Sequence, residues 1–267
     1  MVDALPPTLR AAVRAEFDRA FHDPWEAPIV VAVNGLLMAG AWFFLPLPLQ
    51  DVLFRLHGAL AFPCVLASWM LADVPATNVL GGDAERIGAA LDDPKALRRL
   101  LHAKNIVLWS ITAPIAAVIA LGVGLGQDRW VATLVTIVGI LVVPVGSLGV
   151  AAWVGVCFPY HPLPLAERWS RRREWKPMLL RWGILVSLPY VVVPLLTTAL
   201  VTPALAGWVF VTDDWQRHIS DLYLTIGLVL TAALSAAMFA FGHRTSLWLV
   251  RRRHDHLARF LADPRRG

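Results

Sequence analysis

Charged residues are scarce in this sequence, and cysteine and tyrosine are rarer still. Asp, Glu, Lys and Arg make up only 16% of its 267 residues, whereas 57% are hydrophobic. A soluble globular domain carries about 25% charged residues, so the composition excludes an ordinary water-soluble protein. It predicts instead an integral membrane protein that uses the bilayer as its solvent.

Catalytic motifs are also missing. The sequence contains no phosphate-binding loop, no serine-hydrolase elbow, no zinc-protease motif and no paired-cysteine motif. The long apolar stretches hold almost none of the ionisable side chains that a membrane-embedded enzyme or an ion-driven transporter needs. We therefore expect no catalytic residue, no metal site and no cofactor in this chain, and any energy source to belong to a partner.

Two features resemble metal or disulfide signals only superficially. Cys64 and Cys157 both fall in apolar stretches, which is typical of thiols that pack against neighbouring helices. The triplet from His254 to His256 stands beside three arginines, and such a triplet is typical of a solvated tail.

Long charge-free stretches predict the fold class, an all-α integral membrane protein with six transmembrane helices in one domain. Each stretch is long enough, as a helix, to cross about 30 Å of hydrocarbon. The stretch at 53–72 carries Arg55 and His57 near its first end, where both can reach the interface. The six predicted spans are residues 29–48, 53–72, 106–126, 130–158, 182–202 and 222–243.

Basic residues are divided very unevenly between the two sides of these spans. All but three of the 24 Lys and Arg residues lie on one side, and the exceptions are Arg55, Arg129 and Arg217. The positive-inside rule places the basic side, with both termini and the tail 251–267, in the cytoplasm. We expect a multi-pass protein of the plasma membrane whose basic clusters contact anionic lipids rather than nucleic acid.

The residue pattern of the N-terminal segment, residues 8–22, predicts an amphipathic helix. Thr8 is a suitable N-cap, and apolar residues recur every four positions from Leu9 to Phe21. Such a helix is expected to lie along the lipid headgroups.

Residues 77–104, which we call the elbow, predict a helix, a turn and a second helix at the cytoplasmic face. Asp93 is a good N-cap, and Pro94 suits the first helical position. In the fourth span, Ser147, Ala151 and Gly155 place small residues at four-residue spacing, which lets another helix approach closely.

The layout and several local motifs resemble ABC-2-type transporter permeases, the membrane subunits of ATP-binding cassette exporters. The motifs are NVLGGD at 78–83, LDDP at 91–94, LLHAKN at 100–105 and FPYHP at 158–162. The resemblance covers most of the chain, although the basic tail departs from the shortest family members.

The resemblance implies a separate ATPase subunit that carries the ATP and magnesium, and a second permease subunit in a homodimer or heterodimer. The transported substrate is then expected to be amphiphilic. A non-catalytic membrane scaffold or accessory subunit stays open as an alternative, and a lipid-modifying enzyme is a weaker one. The residues that the resemblance assigns to contact with the ATPase are Asp83, Arg86, Asp92, Asp93, Lys95, Arg98 and Arg99.

Overall fold

A computed structural model describes residues 5–22, 25–44, 46, 66–67, 70–71, 78–127, 130–159, 161, 199–200 and 221–263. Cys64 and most of the predicted spans 53–72 and 182–202 lie outside these residues, so a total of six spans remains a prediction.

The described residues are helical and contain no strand. A 3-10 turn at Gly81–Asp83 precedes the third of the helices. In chain order the described helices are α1 Leu9–Ala20, α2 Glu26–Phe44, α3 Ala84–Ala90, α4 Pro94–Gln127, α5 Trp130–Cys157, α6 Asp221–Arg252 and α7 His254–Leu261.

Three of these helices are long and apolar enough to cross a membrane, namely α4 over Pro94–Gly126, α5 over Thr133–Cys157 and α6 over Thr225–Arg252. Large apolar side chains on their outer surfaces are exposed by 60% or more, including Val118 and Leu134. In water such surfaces would be costly, whereas in lipid they are solvated. The expectation of an all-helical membrane protein is therefore confirmed at this level.

Helices α5 and α6 pack closely because glycines remove side chains from their interface. A Cβ atom on Gly149 would lie 2.6 Å from the Cα of Phe239, and one on Gly242 would collide with the backbone of Gly149. Ala151 belongs instead to an apolar cluster with Leu108 of α4. The small residues of α5 thus pack against two different helices, α6 and α4.

Helix α1 begins where the sequence predicts, with the hydroxyl of Thr8 accepting a hydrogen bond from the Ala11 amide at 3.2 Å. Val13 and Phe17 turn inward against a cluster that includes Val107 of α4. Phe21 remains 42% exposed. Only part of the row of apolar residues from Leu9 to Phe21 is therefore available to a lipid surface.

The elbow and the C-terminal tail share one apolar core. Ile87 of α3 and Leu97 of α4 are buried in it together with Leu257 and Phe260 of α7. Burying each such side chain contributes about 1.5–3 kcal/mol. Helix α7 is therefore docked on the elbow and covers part of its apolar face.

Candidate functional site

Five ionisable side chains meet where α1, the elbow and the base of α4 come together, and we call this group the ion cluster. Glu16 and Arg19 stand one turn apart on α1, Asp83 ends the 3-10 turn, Arg86 lies in α3 and Lys104 lies in α4. The cluster therefore joins α1 to elbow residues that lie more than 60 positions further along the chain.

Each carboxylate of the ion cluster faces more than one cation. Arg19 pairs with Glu16 and lies 3.2 Å from the Oδ2 of Asp83. Arg86 lies 3.4 Å from the same oxygen and 3.7 Å from the Oε2 of Glu16. Lys104 Nζ is 3.9 Å from Asp83 Oδ2.

Most of the ion cluster is withdrawn from water. The side chains of Lys104, Glu16 and Asp83 are only 5%, 8% and 9% exposed, and that of Arg86 is 16% exposed. Arg19, at 39%, is the member that reaches solvent. Because burial strips charges of hydration, mutual pairing is required to hold them there.

The loop before the ion cluster is fixed by two further polar contacts. The side-chain oxygen of Asn78 accepts a hydrogen bond from the Gly81 amide at 3.1 Å. Lys104 Nζ donates to the Val79 carbonyl at 3.0 Å. The asparagine of the NVLGGD motif and the lysine of the LLHAKN motif therefore meet at one site, which the local sequence does not reveal.

The turn between α3 and α4 is built around Asp93. Its Oδ1 accepts hydrogen bonds from the amides of Lys95 at 2.9 Å and Ala96 at 3.1 Å, which makes it the N-cap of α4. These bonds, first that from Ala96 and then that from Lys95, hold the pKa of the Asp93 carboxyl below its ordinary value. Lys95 and Arg98 extend from this end of α4 into solvent.

The tail helix α7 adds a second set of polar contacts to the elbow. His254 Nε2 lies 2.9 Å from Asp92 Oδ1. The carboxylate of Asp255, and next that of Asp92, accepts a hydrogen bond from the His254 ring, and this raises the pKa of His254 above its ordinary value. The His254 triplet therefore includes a residue that binds the elbow rather than solvent alone.

Two residues tie the tail to the end of α5. Arg253 donates hydrogen bonds to the carbonyls of Val156 at 3.0 Å and Cys157 at 2.9 Å, where the helix leaves carbonyls without partners. The ring of His161 donates from Nε2 to the Phe260 carbonyl at 2.8 Å and stacks on the Phe260 ring.

A histidine pair lies between α4 and α6. The ring centroids of His102 and His243 are 3.9 Å apart, and Phe239 stacks on His243. His243 is 3% exposed, and its ring nitrogens have no hydrogen-bond partner among the residues that the structure describes. His102 Nδ1 donates to the Arg98 carbonyl at 2.8 Å.

The residues predicted to contact an ATPase fall into different environments. Asp83 and Arg86 belong to the ion cluster, and Arg99 donates from Nε to the Pro6 carbonyl at 3.2 Å. Asp92, Asp93, Lys95 and Arg98 are exposed. The available charged surface is therefore the turn and the first turns of α4.

Sequence reasoning missed Glu16 and Arg19 as members of the site. Glu16 stands between Val13 and Phe17 on α1, next to the inward-facing stripe, and only this position marks it. Ser147, Ala151 and Gly155 are all buried.

Among the side chains that the structure describes, no group of three or more His, Cys, Asp and Glu residues is arranged to hold a metal ion. Comparison with known proteins identifies no relative, since no family model, no curated protein and no solved structure matches this chain.

Proposed function

We propose that this chain is the permease subunit of an ATP-binding cassette transporter. A separate ATPase, which binds the ATP and magnesium, drives its membrane helices, and an amphiphilic substrate passes along the pathway that they form. The chain crosses the plasma membrane six times. Both of its termini lie in the cytoplasm. A second permease subunit completes the pathway.

The observation that carries this proposal is the continuity of α4. One helix of 34 residues, Pro94–Gln127, starts at the elbow and includes a stretch apolar enough to cross the membrane. The ion cluster joins the base of the same helix to α1 and α3. A force applied at the elbow would therefore reach the membrane helix and the interfacial helix together.

The docking face that suits the ATPase is the exposed turn around Asp92 and Asp93, with Lys95 and Arg98 on the first turns of α4. Asp83, Arg86 and Arg99 support this face from behind through their contacts within the chain.

The experiment reverses the two exposed cations with the double substitution Lys95→Glu and Arg98→Glu. We expect reduced co-purification of the ATPase and reduced hydrolysis, because like charges across an interface oppose docking. Arg10→Glu, on the exposed face of α1, is the matched control for charge reversal. Normal association and normal hydrolysis in the double variant would rule out this docking face.

A non-catalytic membrane scaffold is the second candidate, and one observation favours it. Helix α7 already covers apolar elbow residues such as Ile87 and Leu97, which leaves a mainly charged surface for a partner. A complex that assembles equally well with and without nucleotide, and that lacks an ATPase, would support the scaffold over the transporter.

A further inference from the structure

The charges of the ion cluster do not balance. Two carboxylates, Glu16 and Asp83, face three cations, Arg19, Arg86 and Lys104. Among the described residues, no third carboxylate lies within 4.0 Å of these cations. With Lys104 protonated, a positive charge is left over in a place where four of the five side chains are largely shielded from water. Burial lowers the pKa of the Lys104 ammonium, so a bound anion would stabilise its charged form.

A surplus charge in a poorly hydrated place attracts a counter-ion. Arg19 marks where such an ion can enter, because it is the most exposed member of the cluster. Arg86 stands behind the same two carboxylates. Guanidinium groups suit phosphate in particular, since their planar fork donates two parallel hydrogen bonds.

The surroundings of Arg19 point to a lipid as the source of the phosphate. Lys104 is the last basic residue of α4 before a charge-free stretch that runs to Gln127, so the ion cluster stands at the edge of the apolar segment. Phe21 and Trp25 follow Arg19 along the chain, are 42% and 47% exposed, and contact each other edge to face. An exposed tryptophan such as Trp25 is typical of the headgroup level.

We propose that Arg19, backed by Arg86 and Lys104, binds the phosphodiester of an anionic lipid headgroup, with the rings of Phe21 and Trp25 beside the lipid's glycerol and upper chains. The lipid supplies the negative charge that the cluster lacks. It also secures α1 to the membrane at the point where α1 is joined to the elbow. This site is independent of any transport activity.

The test uses the full-length protein in nanodiscs of phosphatidylglycerol mixed with phosphatidylcholine, with retained lipid counted by native mass spectrometry. The wild type should retain phosphatidylglycerol selectively. Arg19→Gln should lower that selectivity about fivefold, the effect of one basic side chain near an anionic headgroup. Arg19→Lys keeps the charge and should retain most of the selectivity.

Two further variants separate binding from structural damage. Arg14→Gln removes an exposed arginine of the same helix that lies outside the ion cluster, and it should leave the selectivity unchanged. Glu16→Gln enlarges the positive surplus and should raise the selectivity, whereas a purely structural role for the cluster would make both Glu16→Gln and Arg19→Gln lower it.

The same proposal can be overturned in three ways. Equal retention of both lipids by the wild type would exclude a headgroup site. An equal loss with Arg14→Gln and Arg19→Gln would reduce the effect to general surface charge. Stabilisation of the wild type against heat by inorganic phosphate, without selective lipid retention, would assign the site to a soluble anion instead.

Discussion

Lys104 and Asp83 lie 3.9 Å apart, from Nζ to Oδ2, where the elbow meets the base of α4. Lys104 also donates to the Val79 carbonyl, so one ammonium group holds both the loop before the 3-10 turn and the residue that ends it. The two side chains are at most 9% exposed. Their contact makes the position of the loop depend on the position of α4.

The charge imbalance of the ion cluster predicts unequal effects for its members. Asp83→Asn leaves three cations facing one carboxylate, and breaking a buried ion pair in this way costs about 3–5 kcal/mol. Lys104→Met balances the remaining charges and should cost about 1 kcal/mol, chiefly for the lost hydrogen bond. Thermal unfolding in detergent or nanodiscs checks the order. A larger loss for Lys104→Met would contradict it.

The close approach of α5 and α6 predicts strong sensitivity at Gly149. Gly149→Leu should separate the two helices, because even a Cβ atom would lie 2.6 Å from the Cα of Phe239. We expect a loss of at least about 3 kcal/mol, seen as a lower unfolding temperature. Gly122→Leu is the control, since no atom of the described part of the chain lies within 4 Å of a Cβ atom there. Equal stability of the two variants would disprove the packing.

Docking of the tail depends on apolar contact at Phe260, which is 4% exposed. Phe260→Ala should weaken docking by about 3–5 kcal/mol, the usual cost of removing a buried phenylalanine side chain. Hydrogen exchange should then speed up in α7 and over the elbow residues 84–101. Arg259→Ala changes an exposed neighbour and should leave exchange nearly unchanged. Unaltered protection in Phe260→Ala would show that α7 is held otherwise.

Contact between His254 and Asp92 should depend on pH. The folded pKa of His254 is raised, so its contribution is complete below the ordinary histidine pKa of about 6.5 and is lost as pH rises through the folded value. Hydrogen exchange at the start of α7, corrected for intrinsic rates, should show protection falling with pH. His254→Gln should abolish that dependence, and His256→Gln should keep it. Protection that increases with pH would refute the assignment.

The distribution of basic residues predicts the orientation of the chain in the membrane. In a background without Cys64 and Cys157, cysteines introduced near Asp128 and Asp214 should react with a membrane-impermeant reagent from outside. Cysteines at Arg98 and Arg172 should react only from inside. Outside labelling at Arg172 would break the six-span arrangement.

Local signals in the sequence were sufficient to predict where two helices begin. Asp93 caps α4 and Thr8 caps α1 as predicted, because a cap joins a side chain to an amide two or three residues away. The apolar character of α4, α5 and α6 could also be predicted from the sequence, because a membrane span is defined by its own composition.

Pairs that join distant parts of the chain could not be predicted in the same way. Glu16 with Arg86, and Asp92 with His254, meet only because apolar packing brings α1 and α7 onto the elbow. The sequence around a single charged residue does not identify the residue with which it pairs. The family resemblance accordingly assigned Asp83 and Arg86 to contact with an ATPase, whereas their side chains pair with each other.

The hydrogen bonds of Arg253 couple the tail, which also packs on the elbow, to α5. Its guanidinium holds the last carbonyls of α5, at Val156 and Cys157, while the residue itself separates α6 from α7. A sliding or rotation of α5 along its axis must either break these hydrogen bonds or carry the start of α7 with it. A spin label or fluorophore on the exposed side of α7 would therefore report how α5 moves.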